Sequence, residues 1–111
     1  GDDLLIVIAR RLEACVRAED TVARLGGDEF VVLLTAVTDT AECERAAARI
    51  LASVREPIDV GGHTVHVGVS IGIALYPQDG DDAETLLRYA DMAMYRAKQA
   101  GRNRWVLHAD G

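Results

Sequence analysis

Arg24-Leu25-Gly26-Gly27-Asp28-Glu29-Phe30, continued by Val31-Val32-Leu33-Leu34, is the stretch from which the fold is read. Short runs from Val22 to Leu25 and from Phe30 to Leu34 enclose two glycines and two carboxylates. That is the pattern of a β-hairpin with acid at its tip. Gly26 and Gly27 can take φ > 0 and carry no Cβ, so an anion as bulky as a triphosphate can approach their backbone N–H groups. Asp28 and Glu29 are adjacent hard oxygen ligands of the kind Mg²⁺ takes, one or two at a time, together with substrate phosphates. A plain solvated turn has the same composition, because Gly and Asp favour turns for conformational reasons alone.

The 111 residues make one domain, large enough for a core but small for an enzyme that must hold a nucleotide. A net charge of −6 disfavours non-specific binding to nucleic acid or to an anionic membrane, so a phosphate ligand has to be met by local cations and metal. Cys15 and Cys43 fall in helical patterns without paired spacing or His neighbours, which reads as buried or half-buried thiols of a reducing compartment. No apolar run reaches the ~20 residues of a membrane span and no signal peptide is visible, so a cytoplasmic location is expected.

Upstream of the hairpin, Leu4, Leu5, Ile8, Leu12, Cys15 and Val16 form a helical stripe, with Ile6 and Val7 outside it. Those first turns are apolar nearly all round, which points to further packing partners and to sequence before Gly1. Asp2 reads as an N-cap at this helix entrance. Arg17 and Asp20 close the helix, three apart, as a surface ion pair would be.

Downstream, Asp39 and Glu42 are spaced as a capping box for a helix buried through Cys43, Ala47, Ile50, Leu51 and Val54 and ended by Pro57. Arg45 and Arg49 lie on its exposed side. Ile58 to Val65 reads as a second hairpin around Gly61-Gly62, and from Val65 to Ala74 apolar residues alternate with small or polar ones, as in one long strand. His63 and His66 lack a third ligand and read as a solvated edge. Asp81 and Glu84 are spaced as a capping box for a last helix running to Gly101, with Met92 and Met94 as core filler. Lys98 and Arg102 suit the negative end of that helix. Arg104 to Leu107 reads as the final strand and His108 as an exposed tail residue.

Gly26-Gly27-Asp28-Glu29-Phe30 on a strand–turn–strand, Arg17-x-x-Asp20 before it, Ser70-Ile71-Gly72-Ile73-Ala74, and Tyr95 to Asn103 together resemble the GGDEF family, the diguanylate cyclases of bacterial cyclic di-GMP signalling. The resemblance runs from Gly1 to Arg104. It implies an α+β fold, an antiparallel sheet flanked by helices, like the palm-like, ferredoxin-like core of nucleotide cyclases. It further implies that 1–111 is the C-terminal two-thirds of that domain, lacking the first strand, which carries a metal-binding Asp and leads to a phosphate turn, and the first helix. The gap would lie beside the signature hairpin, leaving unpaired edges, so that the isolated chain is expected to be unstable, to aggregate or to pair between chains, and to be inactive alone.

By the same resemblance Asp28 is a ligand of Mg²⁺ or Mn²⁺, and Glu29 is a second ligand or the base. Gly26 and Gly27 admit the nucleotide, Asp2 reads guanine, and Lys98 and Arg102 hold phosphates. Arg17 and Asp20 form an inhibitory site for the product. The partners implied are GTP, cyclic di-GMP, a second copy of the domain, and fused sensory or phosphodiesterase domains. A catalytically silent module binding GTP or cyclic di-GMP, next to a phosphodiesterase domain, is the other reading.

Overall fold

A computed structural model describes residues 2–108, apart from the side chains of Asp2, Asp3 and Thr40. The order of elements is α1 (Asp2–Cys15), β1 (Thr21–Gly26), β2 (Glu29–Thr35), α2 (Thr40–Arg55), β3 (Ile58–Val60), β4 (His63–Val65), β5 (Ser70–Tyr76), α3 (Ala83–Gln99) and β6 (Arg104–Leu107). The main sheet has the order β1-β2-β5-β6, and β3-β4 is a separate ribbon.

Strand direction corrects the sequence reading. Only β1 and β2 pair antiparallel; β2–β5 and β5–β6 are parallel, so the sheet is mixed. Parallel neighbours need a long crossover. Here α2 with the β3-β4 ribbon supplies one crossover and α3 supplies the other. The expected gap beside the hairpin is also not present. β2 bonds β5 directly in unbroken register from Glu29↔Ser70 to Thr35↔Tyr76, so these edges satisfy each other.

β2 is buried through its apolar run because both faces of the sheet are covered. Phe30, Val32 and Leu34 join Ile71, Ile73, Ile8, Leu12, Ile50 and Val54 beneath α1 and α2. Val31 and Leu33 join Ala74, Leu86, Ala90 and Met94 beneath α3. The bare face of β5 explains that second contact. A Cβ on Gly72 would fall inside the Ala90 carbonyl and the Met94 backbone, so α3 lies against the strand only because no side chain stands between them.

Several local expectations shift by a residue or a face. The long strand from Val65 is interrupted between β4 and β5. The cap of α3 is Asp82, not Asp81; its carboxylate accepts from Thr85 N at 2.7 Å and Thr85 Oγ1 at 3.0 Å. Asp39 caps α2 by accepting from Glu42 N at 2.7 Å. Glu42, however, reaches back past the cap and accepts from Thr38 N and Thr38 Oγ1. Met94 is core filler but Met92 is exposed, since one helix turn cannot point both positions at the sheet. His108 is not a free tail residue: its ring stacks on Tyr89 at 4.1 Å.

Two predictions follow from this packing. Gly72→Ala should cost about 3 kcal/mol, at the top of the overpacking range. Gly68→Ala, whose Cβ would meet Asn103 Cβ at 3.4 Å, should stay within about 0.5 kcal/mol; urea unfolding of the two variants measures the contrast. The Asp82 carboxyl is held below its ordinary value by the Thr85 bonds, and that of Glu42 by the Thr38 bonds with help from Arg17 and Arg45. A folded value below the unfolded one contributes stability above the ordinary carboxylate range, lost as pH falls through the folded value. Asp82→Asn, which keeps an acceptor, should therefore flatten the acid limb of a melting-temperature profile without changing its direction.

Candidate active site at the hairpin tip

The first residues of β2, β5 and β6 lie in one row across the sheet, Glu29 beside Ser70 and Ser70 beside Arg104. The acid turn is tied to that row by Ser70 N, which donates to Asp28 O at 2.9 Å. α3 ends next to it in a Schellman motif: Gly101 N donates to Lys98 O at 3.3 Å and Arg102 N to Ala97 O at 2.9 Å. Gly101 has φ +120, as the C′ position requires. Arg102 and Asn103 follow at φ 64 and 48, and the Arg55 guanidinium donates to Asn103 O at 3.0 Å. Left-handed backbone at non-glycine residues is costly, so this neighbour holds a turn that would otherwise relax.

That turn brings the two cations of α3 onto the two acids of the hairpin. Lys98 Nζ is ion-paired with Glu29 Oε2, with side chains 25% and 21% exposed. Arg102 Nη1 stands 3.9 Å from Asp28 Oδ2, both more open to solvent. The four residues named from sequence on two distant segments thus share one surface. The side chain of Asp2, the expected guanine reader, lies outside the described residues.

Neither Gly26 nor Gly27 has positive φ. A Cβ on Gly26 would lie 2.7 Å from Glu29 Oε1, so this glycine makes room for the carboxylate folded over it; a Cβ on Gly27 would meet nothing. Arg24 was missed from sequence. Its Nε donates to Gly26 O at 2.9 Å and Gly27 O at 3.2 Å, holding the tip from below. Beside the tip, the buried Oγ of Ser70 has no hydrogen-bond partner among the described residues.

Asp28 and Glu29 suit Mg²⁺ by donor type, but no cluster of three His, Cys, Asp or Glu residues that could hold a metal is present among the described residues. Two carboxylates match the way Mg²⁺ is held when phosphates complete its octahedron.

Arg17 and Asp20 lie at the far end of β2, roughly 20 Å from Glu29 at the usual rise along a strand. Asp20 is engaged in the fold: it accepts from Arg17 N and Thr35 N, both at 2.8 Å, and from Thr35 Oγ1 at 3.1 Å. Arg17 leans on Glu42 at 3.6 Å. Both line a cavity of about 120 Å³ together with Arg45 and Arg49. The α2 arginines are therefore not simply solvated; Arg49 also donates to Cys15 O at 3.2 Å.

The family model described as "Diguanylate cyclase, GGDEF domain" matches residues 1–104. The chain is 48% identical over 103 residues to the bifunctional diguanylate cyclase/cyclic di-GMP phosphodiesterase MucR of Pseudomonas aeruginosa, covering 93% of this chain and 15% of that protein. It is 39% identical over 103 residues to the cyclic di-GMP phosphodiesterase NbdA of the same organism, covering 93% of this chain and 13% of that protein. The crystal structure of the GGDEF domain of TpbB from Pseudomonas aeruginosa superposes with a TM-score of 0.80 at 47% identity, over 96% of this chain and 67% of that one. The chain thus spans a small part of the curated relatives it matches, and by this match along nearly its whole length it belongs to the GGDEF, diguanylate cyclase, family.

Proposed function

We propose that the intact protein condenses two GTP molecules into cyclic di-GMP with release of two pyrophosphates, this domain holding one GTP and a second copy facing it with the other. The observation that carries this reading is the meeting of Asp28 and Glu29 with Lys98 and Arg102 at one end of the sheet. Adjacent acids at a turn have many uses, but acids and cations converging from separate segments match a metal–triphosphate ligand.

In this reading Asp28 and Glu29 hold Mg²⁺ or Mn²⁺, and Lys98 and Arg102 hold phosphate oxygens. Glu29 is alternatively assigned the role of the base that takes the proton of the attacking 3′-hydroxyl. The bound metal supplies positive charge where charge develops on the phosphate during in-line displacement. Gly26 keeps Glu29 low over the turn, and Arg24 keeps the turn itself in place. Asp2 is assigned to the guanine edge. The cavity lined by Arg17, Asp20, Arg45 and Arg49 is assigned to the product as an inhibitory site, because three guanidinium groups around a hollow suit a planar, anionic ligand. The setting is bacterial signalling in the cytoplasm, next to sensory or phosphodiesterase domains, and no described helix is long and apolar enough to cross a membrane.

One observation favours a second reading. A relative named only as a phosphodiesterase carries a segment 39% identical to this one, which fits a silent domain that binds GTP or cyclic di-GMP and regulates its neighbour. Glu29→Gln in the natural full-length protein separates the two. A cyclase should lose product formation about a hundredfold or more, measured by chromatography of cyclic di-GMP. Undiminished product formation would remove the role given to Glu29, while an unchanged, ligand-dependent phosphodiesterase output without any product in either form would establish the second reading. For the inhibitory site, Arg17→Ala should raise the cyclic di-GMP concentration needed for half-inhibition about tenfold, the loss of one charge-assisted hydrogen bond.

A further inference from the structure

This inference rests on the assignment of Asp28 and Glu29 as the metal-holding carboxylates. We propose that Lys98 is an exchangeable counter-ion that makes the divalent cation and the triphosphate bind as a pair, because its ammonium occupies the Glu29 carboxylate until both arrive.

The ion pair of Lys98 with Glu29 is the more enclosed of the two at the tip, and the pair of Arg102 with Asp28 stands beside it. The four side chains form a neutral cluster of two acids and two cations. A divalent cation arriving alone has to draw Glu29 away from Lys98 and leaves the ammonium facing the metal. A triphosphate arriving alone has to draw Lys98 away and leaves the Glu29 carboxylate facing the phosphates. Each half-exchange strands a partly buried charge, which is unfavourable in a site of reduced dielectric. When both arrive the exchange completes: the metal takes Glu29 and Asp28, and the phosphates take Lys98 and Arg102.

Two features keep the swap available. Glu29 is folded over Gly26, with Oε1 near the space a Cβ would need, so its carboxylate can turn between the ammonium and the tip without moving backbone. Lys98 is anchored by the hydrogen-bonded end of α3, so its ammonium swings on its own stem while its Cα stays fixed.

The test is Mn²⁺ titration of the natural full-length protein, followed by the electron paramagnetic resonance signal of free Mn²⁺, with and without α,β-methylene GTP. Lys98→Gln should bind Mn²⁺ alone about tenfold more tightly than wild type, a coupling within the usual range between sites. The gain in Mn²⁺ affinity on adding the nucleotide should shrink in that variant. Lys98→Met, which keeps the stem and removes the charge, should do the same, and thermal melts of both variants establish that the readings come from folded protein. Mn²⁺ binding alone no tighter in either folded variant than in wild type would overturn the counter-ion role. Glu29→Gln distinguishes the two levels. Unchanged Mn²⁺ affinity there would sink the metal assignment itself, whereas weakened affinity there with no effect at Lys98 would leave the assignment standing and reject the exchange.

Discussion

The contact between α3 and β5 over Gly72 is the constraint on which the rest of the molecule turns. Without a side chain at that point, the helix backbone lies on the strand, and the end of α3 comes level with the first residues of β2 and β5. The hydrogen-bonded end of the helix then sets where Lys98 and Arg102 begin. A core contact on one face of the sheet therefore decides the distance between acids and cations several residues away.

Charge is arranged locally against the overall balance. The chain carries a net charge of −6, yet both places suited to an anionic ligand gather cations: Lys98 and Arg102 at one end of β2, and Arg17, Arg45 and Arg49 at the other. At the first, the cations are matched by the hairpin acids, so the tip is neutral and partly enclosed. At the second, Asp20 ties the segment after α1 to Thr35, Arg17 is paired with Glu42, and Arg49 donates to Cys15 O, so the guanidinium groups around that hollow are already partly engaged. Because both ends belong to one rigid, buried strand, neither can shift without disturbing the sheet.

Local patterns carried much of this. The acid hairpin, the α2 cap at Asp39, Gly101 as the end of α3, the apolar stripe of α2 and most of that of α1 were legible, because each depends on residues a few positions apart; Val7, placed outside the α1 stripe, packs against the core. The misses share another origin. Asp81 and Asp82 both make acceptable caps, and the choice between them depends on where the preceding turn delivers the chain. Met92 and Met94 look alike until the sheet shows which side of α3 is inside. Arg24 sits in the opening stretch, but alternation along a strand does not say that its guanidinium curls back under the turn.

What the amino-acid order determined by itself is the inventory: an acid turn between apolar strands, cations closing the last helix, and a motif set that marks the family. Those are short-range matters, settled by backbone preference and by the spacing of apolar residues. Strand direction, the direct β2–β5 pairing, the joining of Arg45 and Arg49 to Arg17, and the Lys98–Glu29 ion pair were decided only in three dimensions. Each brings together residues dozens of positions apart, and that closure is governed by which faces the sheet and helices bury against one another, a quantity no local pattern contains.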